Sequence, residues 1–288
     1  METLPGRVRR LEITRREVPC FGGREFGETG PYEYLEGRAF CELNPTHPLN
    51  SGIVYLDQAP RNAAGWVDYA VDICLLKPVD PARGNGWVFH EVLNRGNKRG
   101  VHRINDARPS NSPSAPEDAG TGFLMRHGFT IAWVAWQGDT LPGGGRMEAS
   151  LPVARKANGA PIIGCCTDEI IADAPGSVRD EAIKQTSPTM FEAVLSYPAA
   201  SLDRQEATLT VRQNERDERV SPPGMTWRYL DEVTRAPGLD RGAIYEFIFP
   251  ACDPVVLGVG FAAIRDVVHF LRSERGPANP LSGQVRYA

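Results

Sequence analysis

The chain has no excess of basic charge: 32 lysines and arginines stand against 36 aspartates and glutamates, for a net charge of −4. That balance gives no electrostatic reason to expect nucleic acid or an anionic membrane as a partner. No run approaches the roughly 18 consecutive apolar residues of a spanning helix. The opening stretch, Met1 to Arg10, also lacks the apolar core of a signal peptide. Together these absences make the cytoplasm the expected location. The six cysteines (Cys20, Cys41, Cys74, Cys165, Cys166 and Cys252) form no C-x-x-C, and no two histidines fall in an H-x-x-x-H spacing. Buried free thiols are therefore favoured over a zinc site or a disulfide framework, and no metal is expected. Gly143-Gly144-Gly145 lacks the Lys-Ser/Thr of a phosphate loop and does not link a strand to a helix, so no nucleotide or other cofactor is expected. Asp168, Glu169 and Glu206 make no recognisable acid–base pair. Nor does G-x-S-x-G occur, so no serine sits on a strand–turn–helix elbow. Ser110, Ser112 and Ser114 share a loop with prolines, and none is nominated as a nucleophile.

What the chain does have is alternation. Val8 to Ile13 alternates apolar with charged residues, and Tyr32 to Phe40 does so less cleanly. Val67 to Leu76 alternates well, then turns fully apolar before Lys77-Pro78. A period of two marks antiparallel strands with one solvated face. Turn clusters at Gly22-Gly23, Gly30-Pro31, Asn44-Pro45 and Asn50-Ser51-Gly52 separate them.

Past Gly84-Asn85-Gly86 the pattern changes. Residues 87–93 are a short, mostly apolar run followed by the irregular polar loop Asn94 to Gly100. Residues 105–118, rich in Ser, Pro and Asn, read as an exposed loop. Gly122 to Gly128 ends a short helix, and Phe129 to Trp136 is continuously apolar. Fully apolar strands separated by a loop and a helix predict a buried parallel sheet. Residues 140–250 then return to alternation, with a weak helix signal only around Ser177–Thr186 and a solvated hairpin tip at Asn214–Arg219. Last comes a helix over Pro254–Arg272, with Asp253 as its N-cap and Pro254 at its first position. Leu257, Phe261, Ile264, Val268 and Leu271 would form its apolar face. The expected organisation is a core over 1–139, a β-rich insertion over 140–250, and the closing helix with the start of a further strand over 251–288.

Several of these segments carry a likeness. They are Pro31-Tyr32-Glu33 with Gly37, Ala59 to Ala63, Asn94 to Lys98, Gly122-Phe123-Leu124 through Asp139, Leu195 to Ser201, and Asp253-Pro254 through Arg272. In that order, over nearly the whole chain, they resemble the bacterial α/β-hydrolase-domain proteins with a long β-rich insertion. The resemblance implies an α/β fold: the N-terminal part of a hydrolase sheet, with antiparallel first strands and a mainly β insertion. It places residues 87–93 as a third strand between 129–136 and a nucleophile strand that Gln284–Ala288 begins. It also implies that serine, acid and histidine all come after Ala288, so that the chain as given is an inactive fragment. The complete protein would be a serine hydrolase cleaving a small-molecule carboxylic ester through an acyl-enzyme. One alternative is a non-catalytic binding or assembly protein with a β-rich recognition module. Another is a subunit whose partner polypeptide supplies the triad.

By the same mapping, Asn94, Arg95, Gly96 and Asn97 are candidates for the loop that donates a backbone N–H to the oxyanion. A tight turn needing positive φ explains the same residues. Trp136, Gln137 and Asp139 end the apolar run and are pocket candidates. Asp139 either binds substrate, accepts from Arg95 or Lys98, or is simply a turn residue. Trp133 is expected in the core, and His90 is expected to be a buried core histidine.

Overall fold

A computed structural model describes residues 4–171, 183–187, 190–222, 227–229 and 243–288. It divides into two compact units, residues 1–152 with 255–288, and residues 153–254.

The first unit is built on one sheet. Strands β1 (Gly6–Glu17), β2 (Tyr32–Leu43) and β3 (Val67–Pro78) form an antiparallel meander. Beyond them come β4 (Val88–Val92), the short helices α1 (Gly100–Ile104) and α2 (Phe123–Arg126), and β5 (Thr130–Val134). The sheet order is β1-β2-β3-β5-β4. β5 lies antiparallel to β3 through Ile73–Leu76 and parallel to β4 in the register Val88↔Thr130 to Val92↔Val134. The two-residue strand β6 (Ala149–Ser150) pairs with Ala70 and Val71, on the stretch of β3 that β5 leaves free. Asp72 joins the two: its carbonyl accepts from the Ala135 amide at 2.9 Å, and its own amide donates to the Glu148 carbonyl at 3.0 Å.

β4 is an edge strand over most of its length. Only its start is covered, where Trp87 and Tyr287 form a parallel bridge and the Val88 amide donates to the Tyr287 carbonyl at 2.8 Å. Val92, 59% exposed, stands on the open part of that edge, which has none of the lysines, prolines or bulges that usually blunt strand pairing.

Helix α3 (Val259–Ser273) packs against β1, β2 and β5. It begins later than its sequence suggests. Asp253 is not the N-cap: it takes a left-handed φ of 57° and ion-pairs with Arg155, while Gly258 caps the helix. The buried face also differs from the expected stripe. Val259, Gly260, Ala263, Asp266, Val267 and Leu271 point inward, whereas Leu257 and Phe261 are exposed. Close approach explains the rotation, because a Cβ on Gly260 would lie 1.8 Å from the Trp136 carbonyl oxygen. Only small side chains fit that contact, so the large ones turn outward. Asp266 is buried there, accepting from the Tyr69 hydroxyl at 3.0 Å and from Arg265 Nε at 2.7 Å.

The second unit holds β7 (Ile163–Ile171), β8 (Ile183–Ser187), β9 (Met190–Ala193), β10 (Thr208–Arg212) and β11 (Ile244–Cys252). These make an antiparallel sheet in the order β10-β11-β7 and a separate β8–β9 pair. Ile170, Leu195, Leu209, Tyr245, Phe247 and Phe249 form its core, with Trp227 set edge-on to Phe247 at 4.8 Å. The expected helix around Ser177–Thr186 falls partly outside the described residues, and the part that is described begins β8. Asn214–Arg219 is an exposed loop closed by the Val211–Val220 bridge.

These observations correct the expected α/β class. The regular structure of the described residues is mostly strand, and the larger sheet is mixed, with a single parallel pair of strands. Of its three described α-helices, two are only five and four residues long, so no alternating helix layer covers the sheet. The fold is β-rich and is not the front half of an α/β-hydrolase sheet. The apolar run over 129–136 suggested otherwise because such a run reports burial on both faces, not the direction of its neighbours. β5 is buried between an antiparallel strand and a parallel one. Among the described residues no helix is long and apolar enough to cross a membrane.

Candidate functional site

The loop that leaves β4 is held from three sides. Arg95 and Gly96 are consecutive left-handed residues, with φ of 51° and 73°. That region is costly for a side chain like arginine and free for glycine. Arg95 is kept there by its amide, which donates to Gln137 Oε1 at 2.6 Å, and by an ion pair between its guanidinium and Asp139. The Asn97 amide donates to the Asn94 carbonyl at 3.0 Å, and its side-chain amide to the carbonyls of Asn94 and Arg95. Trp136 Nε1 donates to the Leu93 carbonyl at 2.8 Å. Asn94, Arg95, Asn97, Gln137 and Asp139 are thus joined by hydrogen bonds and an ion pair at the adjoining ends of β4 and β5, with Gly96 between Arg95 and Asn97 in the chain and Trp136 bonded to Leu93 just before the loop.

Within it the candidate donors are not equivalent. The amides of Arg95 and Asn97 are already committed, and Asn94 is exposed. Gly96 is buried, its carbonyl accepts from the Met147 amide at 3.0 Å, and its own N–H meets no acceptor among the described residues. A buried amide without an acceptor is rare, because it forfeits the hydrogen bond it had to water.

Residues outside the candidate set hold the loop in place. Asn111 Oδ1 accepts from the Lys98 amide at 3.0 Å, while its Nδ2 donates to Asn97 Oδ1 at 3.0 Å and to the Gly144 carbonyl at 2.8 Å. Glu91 accepts from the Arg99 amide at 2.6 Å and from Trp133 Nε1. Lys98 does not reach Asp139. Its ammonium is buried, donates to the Asn111 carbonyl at 2.5 Å and the Tyr34 hydroxyl at 3.3 Å, and lies near the Tyr34 and Trp133 rings. Burial also raises the Tyr34 hydroxyl and the enclosed Cys74 thiol, so both stay protonated. Glu36 beneath them is desolvated, yet hydrogen bonds from Tyr34 and Ser112 and the charges of Lys98 and Arg15 hold its carboxyl below the usual range. Asn111 lies in a stretch whose composition says only "loop". Glu91, a lone carboxylate inside an apolar run, was the available signal for a second anchor.

Trp133 is fully buried in the core. Among the described residues no serine or threonine hydroxyl hydrogen-bonds a histidine, and no group of His, Cys, Asp and Glu is arranged to hold a metal. His90, on β4, is half-buried, and its Nε2 has no partner among the described residues. Desolvation lowers its pKa, with Glu91 opposing. The unfolded chain therefore takes up a proton first. Stability is full above the ordinary value of 6.5 and is lost as pH falls toward the lower folded value. An NMR titration of His90 should show a midpoint below 6.5, and His90→Gln should weaken the loss of stability between about pH 7 and 5. A midpoint at or above the ordinary value would contradict the burial.

A cavity of about 680 Å³ lies elsewhere in this unit, lined by Arg9, Phe40, Glu42, Asn62, Asp68 and their neighbours, and none of the loop residues borders it. Its charges are spent on one another: Glu42 pairs with Arg7 and Arg9, and Asn62 bridges Glu42 to Asp68. No family model, curated protein or solved structure matches the chain.

Proposed function

We propose that Asn94–Asn97, held by Gln137 and Asp139, is the oxyanion-binding side of a site that hydrolyses carboxylic esters, its serine, acid and histidine lying outside residues 1–288. The observation that carries this reading is the buried Gly96 N–H without an acceptor, on a loop fixed by side chains rather than left to fluctuate. In the reaction, the serine oxygen attacks the ester carbonyl as histidine takes its proton. Negative charge then develops on the carbonyl oxygen, and a preorganised N–H stabilises it. Collapse expels the alcohol, protonated by the histidine, and leaves an acyl-enzyme that water hydrolyses. An alternative is a non-catalytic binding protein with a β-rich recognition module.

Two measurements test these readings, and the second separates them. Purified 1–288 should neither hydrolyse p-nitrophenyl butyrate nor label with a fluorophosphonate, and robust turnover blocked by that probe would sink the proposed location of the nucleophile. A catalytic site requires the coding sequence to continue in frame past codon 288, or a neighbouring frame to supply the serine, acid and histidine. A stop codon with no such frame nearby would favour the binding protein.

A further inference from the structure

Helix α3 turns Phe261 to the solvent, 68% exposed, and buries Gly260, Ala262 and Ala263 instead. Phe261 is not isolated. Its ring lies 5.3 Å from that of Trp136, and the Trp136 indole is hydrogen-bonded to the Leu93 carbonyl, immediately before the loop. The residue after Trp136 is Gln137, which grips the Arg95 amide at 2.6 Å. The aromatic pair and the loop are therefore one connected surface. The charges beside it, Arg95 and Asp139, neutralise each other, and so do not call for a charged group on the ligand.

We infer that Trp136 and Phe261 form the subsite for the apolar alkyl or aryl group of the ester. This rests on the proposed role of the loop, and it adds a substrate class: neutral esters with an extended apolar group, in preference to acetyl esters or esters bearing charge. An open aromatic face offers area rather than a fitted slot. Affinity should therefore rise steadily with chain length instead of peaking at one size, by at most about fourfold per methylene.

The test uses the 1–288 chain with acetate, butyrate, hexanoate and octanoate, whose carboxylate oxygens stand in for the ester's oxygens. Binding is followed by calorimetry and by the amide shift of Gly96 in a ¹⁵N-labelled sample. The expected result is a Gly96 shift with every acid, and affinity at least twofold higher per added pair of methylenes. Phe261→Ala should abolish that gradient; the side chain is mostly exposed, so the substitution spares the core. A Gly96 shift with affinity flat in chain length, or with a gradient that survives Phe261→Ala, overturns the apolar subsite and leaves the loop reading standing. No Gly96 shift with any acid overturns both.

Discussion

Glu33→Ala is expected to cost the fold about 4 kcal/mol, the largest loss from any single side chain considered, because it strands a buried cation. Lys77 and Glu33 face each other across β3 and β2 with Nζ and Oε1 2.7 Å apart, and both side chains are under a tenth exposed. Arg16 adds a second donor to Glu33 from β1, but it is largely exposed and can return to water. Lys77 cannot. Urea denaturation of Glu33→Ala measures the loss, and the double variant Glu33→Leu/Lys77→Met separates its origin. The double variant should recover most of the stability, since an apolar pair of similar volume carries no desolvation penalty. A single-variant loss below about 1 kcal/mol would mean that the ammonium finds water or another partner.

Gly260→Ala pits two effects of opposite sign against each other. Alanine in a helix is favoured over glycine by about 1 kcal/mol. Against that, the new methyl would sit 1.8 Å from the Trp136 carbonyl oxygen, a backbone atom that cannot rotate away. Relief requires shifting α3 or the end of β5, which costs more than the propensity gain. The expected net loss is about 3 kcal/mol. The shift should also reach the loop, because displacing Trp136 moves Gln137 and its bond to the Arg95 amide. The Gly96 amide resonance in the ¹⁵N spectrum should move with it. Gly52→Ala, where the added methyl meets nothing within 4 Å, is the matched control and should change little. A stabilised Gly260→Ala chain with unperturbed loop amides would show that the helix does not sit as close as described.

The meander was legible from the sequence because half-exposed strands write their geometry as alternation, and β1 to β3 lie where the alternation put them. Asn94–Asn97 are nominated only through the family resemblance, and Trp136, Gln137 and Asp139 as the end of an apolar run; the structure shows what holds them in place without assigning them a role. Fold class was not legible. β5 has the same composition whether β3 runs with it or against it, and only pairing decides which. The helix start was missed for a different reason. Asp253-Pro254 is a strong capping signal, but Asp253 is drawn to Arg155 and the chain turns left-handed there. The inward face of α3 was misjudged because a hydrophobicity stripe ranks residues by size and apolarity, whereas this contact selects for smallness. Asn111 could not have been found: its role exists only once Asn97, Lys98 and Gly144 come together.

Both ends of the 135–148 excursion are pinned to a single residue, Asp72, so the sheet registers only where that stretch departs and returns. Its length in between is thermodynamically cheap, since doubling a loop adds only about 0.6 kcal/mol of closure entropy. Yet this same stretch supplies the Gly144 and Met147 backbone that steadies the Asn94–Lys98 turn. The surroundings of the candidate site can therefore be rebuilt, by insertion or deletion, without altering the strand pairing beneath them.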